Sequence, residues 1–144
     1  MTDAAEQALQ GATPMVTAPV PDLQLQLLIR LVGEDPKAKL PITLHTPGGV
    51  LYGDLIAHEA WKTEWARDLR RVEGDAAGLL ARLPEAVDQV MGELQGEDGP
   101  HGLPQWIHLR DVTYLTSDAP VISRLWRGRL ADVSGWSLGK PQAY

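Results

Sequence analysis

The stretch QWIHLRDVTYL, Gln105 to Leu115, followed after the turn-rich TSDAPVI by SRLWRGRLADVSGWSLGK, Ser123 to Lys140, decides the fold class. Both blocks show strand-like spacing and are separated by turn chemistry, so they read as antiparallel strands. In the first block Trp106, His108, Arg110, Val112 and Tyr114 alternate with Ile107, Leu109, Asp111, Thr113 and Leu115, and neither set is cleanly apolar. A change of register near Arg110-Asp111, through a bulge or sharp bend, lets both ends contribute to one core. In the second block Leu125, Arg127 and Arg129 oppose Trp126, Gly128 and Leu130, and Ser134-Gly135 turns the chain into Trp136-Ser137-Leu138.

Upstream, LPITLHTPGGVLYGDLIAHE, Leu40 to Glu59, supplies two further strands. Leu40, Ile42 and Leu44 alternate with Pro41, Thr43 and His45. Thr46-Pro47-Gly48-Gly49 then turns the chain, because Pro presets one turn dihedral and Gly permits a positive one. Gly53 in the return strand Val50–Ile56 marks a bend or bulge of the kind that curves sheets into barrels. The period then changes. In HEAWKTEWARDLRRV, Trp61, Trp65, Leu69 and Val72 fall at helical spacing with the charged residues largely elsewhere, which predicts an amphipathic helix with an aromatic stripe. Beyond Glu73-Gly74-Asp75, Leu79, Leu80, Leu83, Val87, Val90, Met91 and Leu94 form a second apolar face, and Pro84 suits the first turn of a new helix.

Nearer the N-terminus, Leu23, Leu25, Leu27, Ile29 and Leu31 alternate like a strand, but Leu and Gln favour helix. Asp22 as N-cap and Gly33 as a left-handed stop favour a short helix. Residues 1–21 lack a sustained apolar face and read as a flexible tail, residues 141–144 as a short C-terminal one, and the Gly- and Pro-interrupted Gln95–Pro104 as a surface loop. The expectation is one α+β domain over residues 22–140: a small, strongly bent antiparallel β-barrel of Sm-like or SH3-like type, with an N-terminal helix and a helical insertion at about residues 58–95 between the second and third strands.

Composition narrows the functions. A chain of 144 residues with 44% hydrophobic content can bury a core without staples. Its 13 Lys+Arg against 19 Asp+Glu leave a net charge of −6, which opposes a phosphate backbone and disfavours nucleic acid. Cysteine is absent, which removes disulfides, thiolate chemistry and Cys-based metal sites. No run of about 18 apolar residues could span a bilayer. The first basic residue is Arg30, so a secretory signal is not apparent, and a cytoplasmic location is expected.

Reactive motifs are equally sparse. His45, His58, His101 and His108 have no metal-ligand spacing, and HEAWK lacks the second His of H-E-x-x-H, so neither a metal nor a cofactor is expected. Ser117, Ser123, Ser134 and Ser137 lie outside G-x-S-x-G and read as turn or strand positions. There is no phosphate cradle, and Glu97-Asp98 reads as a solvated pair. Catalytic residues are therefore not assigned, and the chain is expected not to be an enzyme. Partner binding is the remaining chemistry. Trp61 and Trp65 suit either packing of the insertion or a partner-binding ridge. Arg124, Arg127 and Arg129 form a basic cluster that can meet an acidic partner or this chain's own carboxylates.

IHLRDVTYL with LWRGRLADVSGWSLG, together with ITLHTPGGVLYGDLIAHEAW, resembles the gas vesicle accessory protein U family over roughly Leu23 to Lys140, most closely in the β-rich blocks. The resemblance implies a non-catalytic accessory protein that acts through protein contacts, with gas vesicle components among its partners. It carries over no catalytic residue; Trp126-Arg127-Gly128 and Gly135–Gly139 match its motif. The leading helix, the hairpin with G-x-L and the late Arg127-Gly128 are also similar to Sm-like barrels. HEAWKTEW lacks the Asp-to-Asn RNA-binding loop of those proteins. The alternatives are a self-assembling nucleic-acid-binding barrel, marked by a basic face, and a small-molecule enzyme, marked by a deep polar pocket. A short barrel with few gatekeeping lysines between Arg124 and Leu138 also predicts a homo-oligomer joined through its C-terminal strands.

Overall fold

A computed structural model describes residues 20–71, 74, 76–80, 82–93, 102–116 and 118–142. Helix α1 (Leu23–Val32) begins where Asp22 Oδ1 accepts the Leu25 amide at 3.1 Å. Helical spacing overrides the alternating leucines: Leu25 is fully buried, and Leu28, Ile29 and Val32 pack against the same core. The expected left-handed stop does not occur, since Gly33 has φ −64°. Its amide still donates to Ile29, and Glu34 and Asp35 close tighter turns onto Leu31 and Val32 before Pro36. Most of the proposed tail (1–21) and loop (95–104), with His101, Ser117, Glu97-Asp98, Val72 and Leu94, lies outside the described residues.

Strands β1 (Lys39–Thr46) and β2 (Gly49–Ile56) form the expected hairpin, with only Pro47 and Gly48 between the paired Thr46 and Gly49. Gly49 takes φ +133°, which an L side chain rarely adopts. Strands β3 (Trp106–Leu115) and β4 (Val121–Arg129) follow the insertion. Between β2 and β3 the register slips: Tyr52 faces Thr113 but Asp54 faces Arg110, so Asp111 and Val112 together oppose Gly53. Asp111 absorbs the kink at φ +53°. Inward parity changes there as expected, from Ile107 and Leu109 to Val112 and the partly buried Tyr114.

The last strand, β5 (Gly135–Leu138), does not return onto β4. Leu130, expected in a strand, instead starts a 3₁₀ turn (Leu130–Asp132), where it is buried and its amide donates to Gln105. The turn delivers β5 to β1, where Thr43 Oγ1 donates to Gly139 at 2.8 Å. Sheet order is β4-β3-β2-β1-β5, antiparallel throughout. The α+β class, leading helix and inserted helices stand. Closure into a barrel does not follow, because the described residues form an open sheet with unlike edges and β5 is only 4 residues long.

The insertion comprises α2 (His58–Leu69), the single turn α3 (Ala77–Leu80) and α4 (Leu83–Glu93), with Pro84 in the first turn of α4. The expected second apolar face is turned outward: Leu79, Leu83, Val87 and Val90 are all exposed. By contrast, the core of Ile42, Leu44, Leu51, Leu55, Ile107, Leu109, Val112 and Leu130 is closed by Leu25 of α1.

Candidate partner-binding site

Helix α2 lies against β3, on the side of the strand that carries His108 and Arg110. His58, Trp61 and Trp65 recur at i, i+3 and i+7 and share a helix face. The His58 ring stacks on His108, with centroids 4.3 Å apart and planes 16° apart. Trp61, only 8% exposed, tilts against both His108 and Trp65 at 5.2 Å. On the neighbouring strand Arg127 donates from Nε to His108 Nε2 at 3.0 Å, and its guanidinium lies 4.1 Å over the Trp106 ring. The bond from Arg127 makes His108 Nε2 an acceptor.

Ion pairs fasten the rest of α2. Glu64 meets Arg110 at 2.7 Å, holding that guanidinium above its already high pKa chiefly through this hydrogen bond, and Asp68 meets Arg124 at 3.3 Å. Lys62 bonds Asp88 of α4 and also reaches Glu59. The Asp88 hydrogen bond is the main cause that raises the Lys62 pKa from 10.5. A raised lysine stabilises the folded chain fully below the unfolded value and loses that contribution only as pH climbs through the folded one. On the alkaline side, anchorage of α4 is therefore insensitive to pH until above 10.5. Asp88→Asn at neutral pH is expected to cost about 0.5–1 kcal/mol, hydrogen exchange in α4 becoming about two- to fivefold faster while the sheet keeps its protection.

Two of the concavities that border this arrangement share Arg127 in their lining. One, of about 210 Å³, lies between α2 and α4 and is lined by His58, Trp61, Lys62, Trp65, Pro84, Val87, Asp88 and Arg127. The other, of about 610 Å³ and more open, lies beside β4 between Trp106, Tyr114, Trp126, Arg127, Gly128 and Arg129 and the Thr46–Gly48 turn. There Trp126 donates from Nε1 to Tyr114 Oη at 3.0 Å.

Of the residues singled out in the sequence, Trp61, Trp65 and Arg127 meet at the smaller cavity. Trp61 is packed into it and Trp65 is half-buried at its side. Arg124 and Arg129 do not join them: Asp68 engages the first and Asp132 the second, at 3.0 Å, so the cluster is divided among the chain's own carboxylates. Sequence reading missed His58, His108, Lys62 and Asp88. The spacing of His58 with Trp61 and Trp65 was the available signal for one of them. Among the described residues no group of three His, Asp or Glu side chains could hold a metal ion, and no helix is long and apolar enough to cross a membrane.

The family model described as gas vesicle protein GvpU-like matches residues 22–141, which takes in α1, the whole sheet and the insertion. No curated protein and no solved structure matches the chain.

Proposed function

The chain belongs to the GvpU-like family of gas vesicle proteins, and on that premise we propose that it is a non-catalytic accessory protein of the cytoplasm, working through protein contacts in vesicle formation and self-associating through its sheet edges. The observation that carries the reading is β4: a 9-residue strand at the end of an open sheet, with Val121 55% and Ile122 77% exposed. An edge of this kind offers unpaired backbone groups and apolar side chains to another strand. A second copy is the favoured partner, since union of edges between copies completes a sheet that one chain leaves open. The net charge of −6 and the pairing of Arg124 and Arg129 with carboxylates weigh against nucleic acid.

Light scattering across a concentration series should give masses rising above the 15.7 kDa of one chain. Ile122→Lys, at an exposed position, should return the protein to that mass with little change in melting temperature. A single 15.7 kDa species at every concentration would overturn the self-association reading. In a host that makes gas vesicles, deleting the gene for this protein should alter vesicle number or shape in electron micrographs, and unchanged vesicles would remove the accessory role.

A further inference from the structure

The larger concavity beside β4 is lined by aromatic rings, and its charges are already committed. Trp106, Tyr114 and Trp126 line it, all three half-buried, together with Pro47 and Gly48 of the β1–β2 turn. At about 610 Å³ it falls in the roughly 300–1,000 Å³ range of ligand clefts. Arg127 bonds His108 and lies over Trp106, and Arg129 bonds Asp132, so the ionic groups are engaged within the chain. An uncharged occupant is therefore favoured. Tyr114 supplies a donor for it: Trp126 Nε1 donates to Tyr114 Oη, which occupies an oxygen lone pair and leaves the phenolic proton for another acceptor. Grooves lined by aromatic rings hold extended, proline-containing chain, whose backbone carbonyls have no partners of their own.

The sequence holds such a chain close by. Residues 13–21, TPMVTAPVP, carry three prolines, and no charged residue stands between Glu6 and Asp22. Each proline biases the residue before it, Thr13, Ala18 or Val20, towards extended backbone. Position agrees with composition. Arg30 reaches the Gly102 carbonyl, and Gln26, one helical turn nearer the N-terminus, reaches that of Pro104. Helix α1 therefore runs antiparallel to residues 102–104, and its N-terminal end lies toward Trp106, where β3 begins beside Arg129 of β4. Val20, 86% exposed, leaves from that end, and the seven residues 13–19 before it reach about 20 Å when extended. We infer that this groove is the docking site of residues 13–19 of the same chain, their prolines packed on the aromatic lining and a backbone carbonyl accepting from the Tyr114 hydroxyl.

The inference is independent of self-association, since docking within one chain survives dilution. Cysteine is absent, so Thr17→Cys gives a single attachment point for a nitroxide. In the full chain the label should broaden the Trp106 and Trp126 indole cross-peaks of a nitrogen-15 spectrum at every concentration, the two peaks being assigned by their loss in Trp106→Phe and Trp126→Phe. Pro14→Ser combined with Pro19→Ser should remove most of that broadening. A free TPMVTAPVP peptide should bind the proline-substituted chain roughly threefold or more tightly than the natural one, whose own segment competes for the groove. Tyr114→Phe, which keeps the ring, should weaken the peptide about fivefold. Unbroadened cross-peaks, or broadening equally strong without the two prolines, overturn the docking. Equal broadening when nitroxide and nitrogen-15 sit on different chains of a mixture overturns the intramolecular occupant in favour of a second copy. Full peptide affinity in Tyr114→Phe overturns the bond from its hydroxyl.

Discussion

Gly53→Val is expected to destabilise the protein by about 3 kcal/mol and to lower its melting temperature by about 10 °C. A Cβ at Gly53 would stand 2.9 Å from the Arg110 carbonyl oxygen, 3.1 Å from Val112 Cγ2 and 3.3 Å from the Asp111 carbonyl oxygen. Two of those three atoms are backbone, on the bulge where two residues of β3 oppose one of β2. Relief therefore means separating β2 from β3 or moving the bulge, and either disturbs the buried Leu51, Leu55 and Leu109. The obstruction is contact, not dihedral strain. Asp111→Gly, which relaxes the φ of +53° on the facing strand, should accordingly fail to rescue Gly53→Val. Urea unfolding of the single and double variants separates the two causes: recovery of more than about half the loss by the second substitution would show that the bulge's dihedral was limiting.

That same bulge shows what kinds of information the sequence carries locally. Gly53, the mixed faces of residues 106–115 and the Pro47-Gly48-Gly49 turn are signals contained within a few residues, and each has the structural consequence expected of it. Asp22 likewise decided α1 against a misleading alternation of leucines, because a cap bonds within its own turn. What could not be read is non-local. Trp136-Ser137-Leu138 is too short to announce a partner, and only the 3₁₀ turn at Leu130 shows why it reaches β1 rather than β4. Arg124, Arg127 and Arg129 look like one cluster in sequence, yet Asp68, His108 and Asp132 take one each. The stack of His58 on His108 joins an insertion to a strand that follows it by a long stretch of chain, and spacing says nothing about such a meeting. The helical period of residues 79–90 was legible as well, but periodicity marks an apolar face without saying whether this chain or another one covers it.

Gly128→Val is expected to cost about 2 kcal/mol, by a different route from Gly53→Val. A Cβ at Gly128 would come within 2.1 Å of the Trp126 indole, and the three nearest atoms all belong to that ring. The obstruction is thus the far end of a side chain, so Trp126 swings away while β4 keeps its pairing of Gly128 with Ile107. The swing removes the indole from its place against the core and breaks its 3.0 Å bond to Tyr114. Backbone conformation adds no penalty, and valine is favoured in strands. The loss should therefore vanish once the ring is gone: in a Trp126→Ala background, Gly128→Val should cost less than about 0.5 kcal/mol or stabilise slightly, a coupling of about 2 kcal/mol between the two positions. Near-ultraviolet circular dichroism should change in Gly128→Val while the far-ultraviolet spectrum is retained, as a displaced indole on an intact strand requires. Additive losses in the double variant would mean that Gly128 serves the backbone and not the ring. The adjoining Trp126-Arg127-Gly128 run would then need another explanation than the one its packing supplies: a glycine that makes room for the tryptophan two residues before it, beside an arginine that reaches His108 and Trp106.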